Sequence, residues 1–246
     1  MNNIIWKNFR RAVRDYRLVS DGDRIGVCVS GGKDSTLLAA CMKQLQREID
    51  FQAEFIVMNP GYSKRNLDII RQNLSKFDIT AEIGNTKVFE SVKDEKNPCF
   101  LCSRLRRGWL YRTAQEKKLN KIALGHHFDD AVETILMGML YGSQMQAMLP
   151  KLKAEHYPVE VIRPLYRVRE SSITEWAEEN NMHFITCECG LDNKSSKRAE
   201  VKEILDFLRE KNPDVDMNIF RSAENVNLRK LLSYHDGDEY HSFLDD

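Results

Sequence analysis

The sequence predicts an α/β fold built on a doubly wound parallel sheet, and three observations carry that expectation. Short apolar runs bounded by turn residues alternate with helix-length stretches along the first half of the chain. The first run is followed at once by a glycine-rich turn that opens a helix, and the fourth ends in a second polar loop led by glycine. No internal repeat and no low-complexity linker interrupts this order. The length, 246 residues, suits one large domain or one domain with a small appendage.

Residues 5–19 read as a basic helix, closed by the turn Asp21-Gly22-Asp23. Ile25-Gly26-Val27-Cys28-Val29 is a short apolar run between turn residues, which reads as a buried strand. Thr36 to Leu45 carries apolar positions suited to a helix. Phe55-Ile56-Val57-Met58 gives a second strand, stopped by Asn59-Pro60-Gly61. Leu67 to Phe77 reads as a helix and Thr80 to Ile83 as a third strand. A helix around Arg104–Lys118 leads into a fourth strand, Lys121-Ile122-Ala123-Leu124, which ends at Gly125. Beyond residue 191 the chain is charged, with Val201–Leu208 amphipathic, and reads as a helical extension with an acidic tail. The expected organisation is a basic helix over 1–20, a core domain over 21–190 with a cysteine-bearing insertion near 97–118, and the extension over 191–246. In sheets of this kind ligands bind at the carboxyl ends of the strands, beside the switch in strand order. The loops after Val29 and Leu124 both fall at strand ends.

Composition bounds the function less than its distribution does. The chain is 42% hydrophobic and 30% charged, with 37 basic and 37 acidic residues, so net charge does not point to nucleic acid. Residues 1–20, however, carry Lys7, Arg10, Arg11, Arg14 and Arg17 against Asp15 alone. Residues 104–121 carry Arg104, Arg106, Arg107, Arg112, Lys117, Lys118 and Lys121 against Glu116 alone. Two such stretches could follow a phosphate backbone, or could be solvated helix faces. No stretch approaches the roughly 18 to 20 apolar residues of a membrane span, and the N-terminus lacks a secretory pattern, so a cytoplasmic location without membrane is expected. Six cysteines in such a chain do not indicate a disulfide framework. Cys28 and Cys41 lie among apolar residues and read as packing, as do Trp6, Trp109 and Trp176 in helical stretches. Cys99-x-x-Cys102 and Cys187-x-Cys189 are a different matter.

Val29-Ser30-Gly31-Gly32-Lys33-Asp34-Ser35 joins the first strand to its helix. Glycines let the backbone approach a ligand, free N–H groups at a helix start attract anions, and Lys33 adds charge for phosphate. Ser30 and Ser35 add hydroxyls. Asp34 beside an anion is unfavourable unless a cation such as Mg²⁺ accompanies it. The Walker A pattern fails at two positions, since Lys33 precedes Asp34 and Val27 stands where its first glycine belongs; the dinucleotide Gly-x-Gly-x-x-Gly pattern fails too. The Ser-Gly-Gly-Lys-Asp-Ser loop after an apolar strand is similar to the signature of PP-loop ATP-pyrophosphatases. That resemblance implies binding of the pyrophosphate end of ATP, cleavage between the α- and β-phosphates, and transfer of AMP to a substrate oxygen.

Gly125-His126-His127-Phe128-Asp129-Asp130-Ala131-Val132-Glu133-Thr134 reads as the opposite wall of the same site, with Asp129 or Asp130 available for Mg²⁺. Together with Cys99-x-x-Cys102-Ser103-Arg104-Leu105-Arg106-Arg107-Gly108, Met148-Leu149-Pro150-Lys151-Leu152, Ile162-Arg163-Pro164-Leu165 and Cys189-Gly190, these motifs stand in the order of the tRNA 2-thiocytidine synthetases, and Pro60-Gly61-Tyr62 fits as well. The likeness runs from about residue 5 to 230. Leu149 departs from it, standing where the family usually has a second proline, as does the spacing around Cys187.

The resemblance implies adenylation of a cytidine C2 oxygen in the tRNA anticodon loop, and its replacement by sulfur with a three-cysteine [4Fe-4S] cluster. It implies Ser30, Gly31, Gly32, Lys33, Asp34, Ser35, Met58, Gly125 and His126 as the ATP site, with Lys33, Asp34 and Asp130 catalytic. Asp34, Asp129 and Asp130 are the implied Mg²⁺ ligands. Cys99, Cys102 and Cys189 are the implied cluster ligands, with Cys187 open as the third instead. Arg10, Arg11, Arg14, Arg104, Arg106, Arg107 and Arg163 are candidates for tRNA contact. A sulfur donor, either a cysteine desulfurase or sulfide, is a further implied partner, and a homodimer suits the family. Three other readings stay open: a PP-loop enzyme that thiolates or amidates a small metabolite, a nucleotide-binding protein with a structural Cys₄ zinc site, and sulfur transfer through a cysteine persulfide.

Overall fold

The computed structural model describes residues 3–93, 95, 98–185 and 196–244. In chain order the elements are α1 (Asn3–Asp15), β1 (Arg24–Cys28), α2 (Lys33–Leu45), β2 (Gln52–Asn59), α3 (Lys64–Ser75), β3 (Glu82–Asn85), α4 (Val88–Val92), α5 (Pro98–Glu116), β4 (Lys121–Ala123), α6 (Phe128–Gly142), β5 (Lys151–Lys153), β6 (Glu160–Ile162), α7 (Glu170–Glu179), α8 (Lys197–Lys211), α9 (Val215–Ser222), β7 (Ser233–Asp236) and β8 (Glu239–Ser242). None of the described helices is long and apolar enough to cross a membrane. The chain divides into two compact units, Met1–Ala131 with Leu149–Asn193, and Val132–Met148 with Lys194–Asp246.

The first unit holds a six-stranded sheet in the order β3-β2-β1-β4-β6-β5. Five strands run parallel, and the edge strand β5 is antiparallel to β6, with Leu152 opposite Val161. The doubly wound architecture is therefore present, with one departure from an all-parallel sheet at its edge. β5 and β6 are only three residues long, too short for a periodicity to announce them. Side chains alternate across the sheet as strand geometry requires. Phe55 and Val57 of β2 enter a core with Ile5 and Phe9 of α1, Leu37 and Met42 of α2, Ile70 and Leu74 of α3, and Ile173 and Trp176 of α7. Ile56 points the other way, into a second core with Ala114, Leu119 and Ile122. Both faces are covered, which is why β1, β2 and β4 read as continuous apolar runs.

Cys41 is buried and burial pushes its thiol well up. Cys28 is half-buried; burial pushes its thiol up to about 12, against the opposing effect of Arg106. Trp176 is buried, and Trp6 and Trp109 pack against the cores.

The chain lays β1, β2 and β3 outward in one direction, then returns to place β4 on the other side of β1. The switch in strand order thus falls between β1 and β4, paired through Val27 and Ala123. The glycine loop leaves one of these strands and the His-His-Phe-Asp-Asp loop the other.

In the second unit, Val201 and Leu205 of α8 and Phe220 of α9 are buried. Arg209 Nε donates to both oxygens of Asp216, each at 3.1 Å. Glu133, almost fully buried, has Arg198 Nε at 3.4 Å and Lys202 Nζ at 3.6 Å. The acidic tail is not purely helical: β7 and β8 form a hairpin, turned at Gly237 with φ +61°.

Candidate active site

The glycine loop is braced by its own hydrogen bonds. Ser30 N and Ser30 Oγ both donate to Ser35 Oγ, at 3.0 and 3.1 Å, and Ser35 Oγ donates to Gly32 O at 3.1 Å. The two serine hydroxyls therefore bond each other and the loop. Gly31 has φ +92°, and a Cβ there would lie 2.6 Å from Ile185 Cδ1 and 2.9 Å from Ile70 Cδ1; conformation and space both demand glycine. Gly32 caps α2 with extended backbone and no side-chain cap, so no capping side chain takes up the N–H groups of the first turn, as an anion site requires. Tyr62 Oη donates to Ser30 O at 3.2 Å, tying the turn after β2 to the loop.

Three segments meet around Lys33. Its Nζ lies 2.8 Å from Glu170 Oε1 and 3.2 Å from Asp34 Oδ1. Glu170 N, at the start of α7, donates to Asp129 Oδ2 at 2.7 Å. Asp129 Oδ2 lies 3.7 Å from His127 Nδ1, and His127 Nε2 lies 3.9 Å from Asp34 Oδ1. These contacts close a ring through the glycine loop, the loop after β4 and the head of α7. Burial works against the charge on Lys33, but the Glu170 hydrogen bond and the nearby Asp34 outweigh it and hold Lys33 above its ordinary value. Gly125 abuts the same place, its Cα facing the main chain of Asp34 and Ser35.

The two aspartates after Phe128 have different positions. Asp129 is spent on the first turn of α7, where a carboxylate is favoured by the helix dipole. Asp130 Oδ2 accepts from His127 N at 3.0 Å and lies 3.5 Å from His127 Nε2. Asp34 and Asp130 therefore both lie within 4 Å of one ring nitrogen, at 3.9 and 3.5 Å. Among the described residues no group of three or more His, Cys, Asp or Glu is arranged to hold a metal by itself. Met58, at the end of β2, packs its side chain with Val88 and Val92, so it offers a ligand only its main chain. His126 is half-buried in the loop that follows β4.

Pro98 starts α5, where its missing N–H costs nothing, so Cys99 and Cys102 fall in the first turns of that helix. Cys102 is half-buried against the Met58–Val88–Val92 cluster. Cys187, Cys189 and Gly190 lie outside the described residues. The two basic stretches differ. On α1, Arg10 pairs with Glu48 at 3.0 Å, and Arg11 and Arg14 pair with Asp15 at 3.3 and 3.0 Å. On α5, Arg104 and Arg107 are exposed and Arg106 is half-buried, and none of the three forms an ion pair among the described residues. Arg163 donates through Nη1 to Leu149 O. Burial lowers its pKa and Arg107 adds to that, while Tyr166, Tyr111 and Asp130 oppose it.

Glu170 is the residue that sequence reasoning missed. It stands five residues past Leu165 of the Arg-Pro-Leu motif, and only the fold brings it to Lys33.

Comparison with known proteins places this geometry. The family model described as the PP-loop domain matches residues 1–206. A tRNA-cytidine(32) 2-sulfurtransferase of Geobacter metallireducens is 36% identical over 229 residues, covering 90% of this chain and 89% of that protein. Its namesake in Syntrophotalea carbinolica is 37% identical, covering 90% and 88%, and that of Coxiella burnetii 35%, covering 92% and 90%. Among solved structures, the U34-tRNA thiolase NcsA of Methanococcus maripaludis, determined with its [4Fe-4S] cluster, matches at a TM-score of 0.71 and 24% identity. It covers 89% of this chain and 77% of that one, a likeness of fold. With the family model and relatives more than one third identical spanning nearly its whole length, the chain belongs to the PP-loop domain family and, within it, to the tRNA-cytidine(32) 2-sulfurtransferases.

Proposed function

We propose that the chain is an ATP-dependent tRNA thiolase, which adenylates the C2 oxygen of an anticodon-loop cytidine and replaces that oxygen with sulfur. The observation that carries this reading is the polar ring around Lys33, at the switch point between β1 and β4. It joins a glycine loop able to cradle pyrophosphate to a carboxylate-rich second loop.

A nucleobase oxygen is a poor leaving group, and ATP remedies this. The oxygen attacks the α-phosphorus, the bond to the β-phosphate oxygen breaks, and pyrophosphate departs. Charge accumulates on that leaving group, where Lys33 and the N–H groups at the start of α2 stabilise it. Asp34 and Asp130 fit a Mg²⁺ ion, because that ion usually takes one or two carboxylates and completes its shell with phosphates and water. Mg²⁺ bound there supplies further charge neutralisation on the phosphates. Sulfide-level sulfur then attacks C2, the C2–O bond breaks, and AMP leaves. Cys99 and Cys102 stand three residues apart, nearly one turn, on one helix, and the apolar cluster beside Cys102 suits a shielded iron–sulfur site. Cys189, or Cys187, would complete the set. Held by these thiolates, a [4Fe-4S] cluster would supply the sulfur that the reaction consumes. The donor upstream is a cysteine desulfurase or sulfide. Arg104, Arg106 and Arg107 on α5 face the phosphates of a tRNA whose target base has left its stack.

The test pairs two measurements on anaerobically purified protein. Asp34→Asn abolishes tRNA-dependent AMP formation, and unchanged turnover refutes the assignment of the loop. Metal analysis finds about four irons and four sulfides per chain, lost together in Cys99→Ala; one zinc and no sulfide refutes the cluster.

A further inference from the structure

Lys33 is held by two carboxylates of different standing. Asp34 is its neighbour in the loop, 3.2 Å away, while Glu170 reaches it at 2.8 Å from the head of α7. The main chain that carries Glu170 is anchored, since its N–H donates to Asp129 Oδ2 at 2.7 Å and Asp129 is buried. Lys33 and Glu170 are each only a quarter to a third exposed, so their attraction is less screened than that of a surface pair. An anion arriving at the first turn of α2 needs the same ammonium group that Glu170 already holds.

Resting on the reading of the loop as a pyrophosphate site, we infer that Glu170 is a positioning residue that competes with pyrophosphate for Lys33. It holds the ammonium in the loop mouth between turnovers and takes it back when pyrophosphate forms, so that the product leaves. The competition is the physical content of the role. A carboxylate that served only to support the fold would stabilise the loop, and its loss would weaken anion binding. A competitor has the opposite signature: removing its charge strengthens anion binding.

Pyrophosphate itself is the probe, titrated calorimetrically into the full chain with divalent cations chelated. The expected result is that wild type binds and that Lys33→Met loses binding. Glu170→Gln, which keeps the side-chain shape and discards the charge, binds roughly tenfold tighter. Inhibition of AMP formation by pyrophosphate moves to lower concentration by the same factor. Glu170→Asp, with the charge retained on a shorter arm, falls between the two, and thermal melting of each variant shows that it is folded. Equal or weaker binding by both folded Glu170 variants, with the Lys33 dependence intact, overturns the role of Glu170 and leaves the loop reading standing. No binding by wild type, or binding that ignores Lys33, overturns the loop reading and this role with it.

Discussion

Gly125→Ala tests the close approach of the second loop to the first. A Cβ at this position would lie 3.0 Å from Ser35 N, 3.1 Å from Ser35 Cα and 3.2 Å from the carbonyl carbon of Asp34. Relaxed contacts of this kind sit at about 3.5 to 4.0 Å, so all three must open by several tenths of an ångström. The obstructing atoms are main chain in the first turn of α2, and no side chain can rotate out of the way. Overpacking of this sort costs about 1 to 3 kcal/mol. The smaller unfolded-state entropy of alanine returns roughly 0.4 to 1 kcal/mol. The net loss of stability is therefore modest, near 1 kcal/mol, because the strain is relieved by pushing the loop. That displacement moves the N–H groups that the proposed mechanism gives to pyrophosphate, and a weakening of about 1.4 kcal/mol raises the KM for ATP roughly tenfold. The assay is tRNA-dependent AMP formation across ATP concentrations, alongside a thermal melt. Gly108→Ala is the stability control: it lies within α5, an added Cβ meets nothing within 4 Å, and it stabilises by roughly 0.5 to 1 kcal/mol. A Gly125→Ala protein with unchanged stability and unchanged KM for ATP would refute the reasoning.

Two further outcomes are expected. Lys121 and Asp23 form a nearly buried ion pair at 2.7 Å, with Asn120 Nδ2 and Ser20 N also donating to the carboxylate; Lys121→Met strands that charge and costs about 3 to 5 kcal/mol by denaturant unfolding. Burial works to raise the Asp23 pKa, but hydrogen bonds from Lys121, Asn120 and Ser20 outweigh it and leave it lowered. The stabilisation is thus present above the ordinary carboxylate range and fades as pH falls through the lowered value, so the gap between variant and wild type narrows in acid. On α5, replacing Arg106 and Arg107 together with alanine flattens the dependence of log tRNA affinity on log salt, by about 0.7 to 0.9 for each phosphate that the two guanidinium groups neutralise in the wild type. Arg11, already paired with Asp15, alters that slope less when replaced by alanine; an unchanged slope in the Arg106/Arg107 variant would remove α5 from the interface.

What could be read from the sequence was whatever depends on near neighbours along the chain. The run Ile25–Val29, the glycine loop after it and the strand before Gly125 each carry their signal within about ten residues, and each forms the kind of element expected, the strands shifted or trimmed by one residue to Arg24–Cys28 and Lys121–Ala123. The start of α5 lay six residues before the expected Arg104, because Pro98 marks a helix start rather than a break. β5, β6 and the β7–β8 hairpin were illegible, being three or four residues long and held by partners rather than by their own pattern.

The sequence by itself determined that a glycine loop with a lysine and a second polar loop leave two strand ends, since glycine freedom, helix-start N–H groups and a lysine are local properties. The tertiary structure alone decided the division of labour among the acids. It sets Asp129 under α7, leaves Asp130 and Asp34 about one histidine nitrogen, and brings Glu170 to a lysine 137 residues away in the chain. The reason is electrostatic: a carboxylate's role follows from the charges and N–H groups within a few ångströms, and here the fold supplies them.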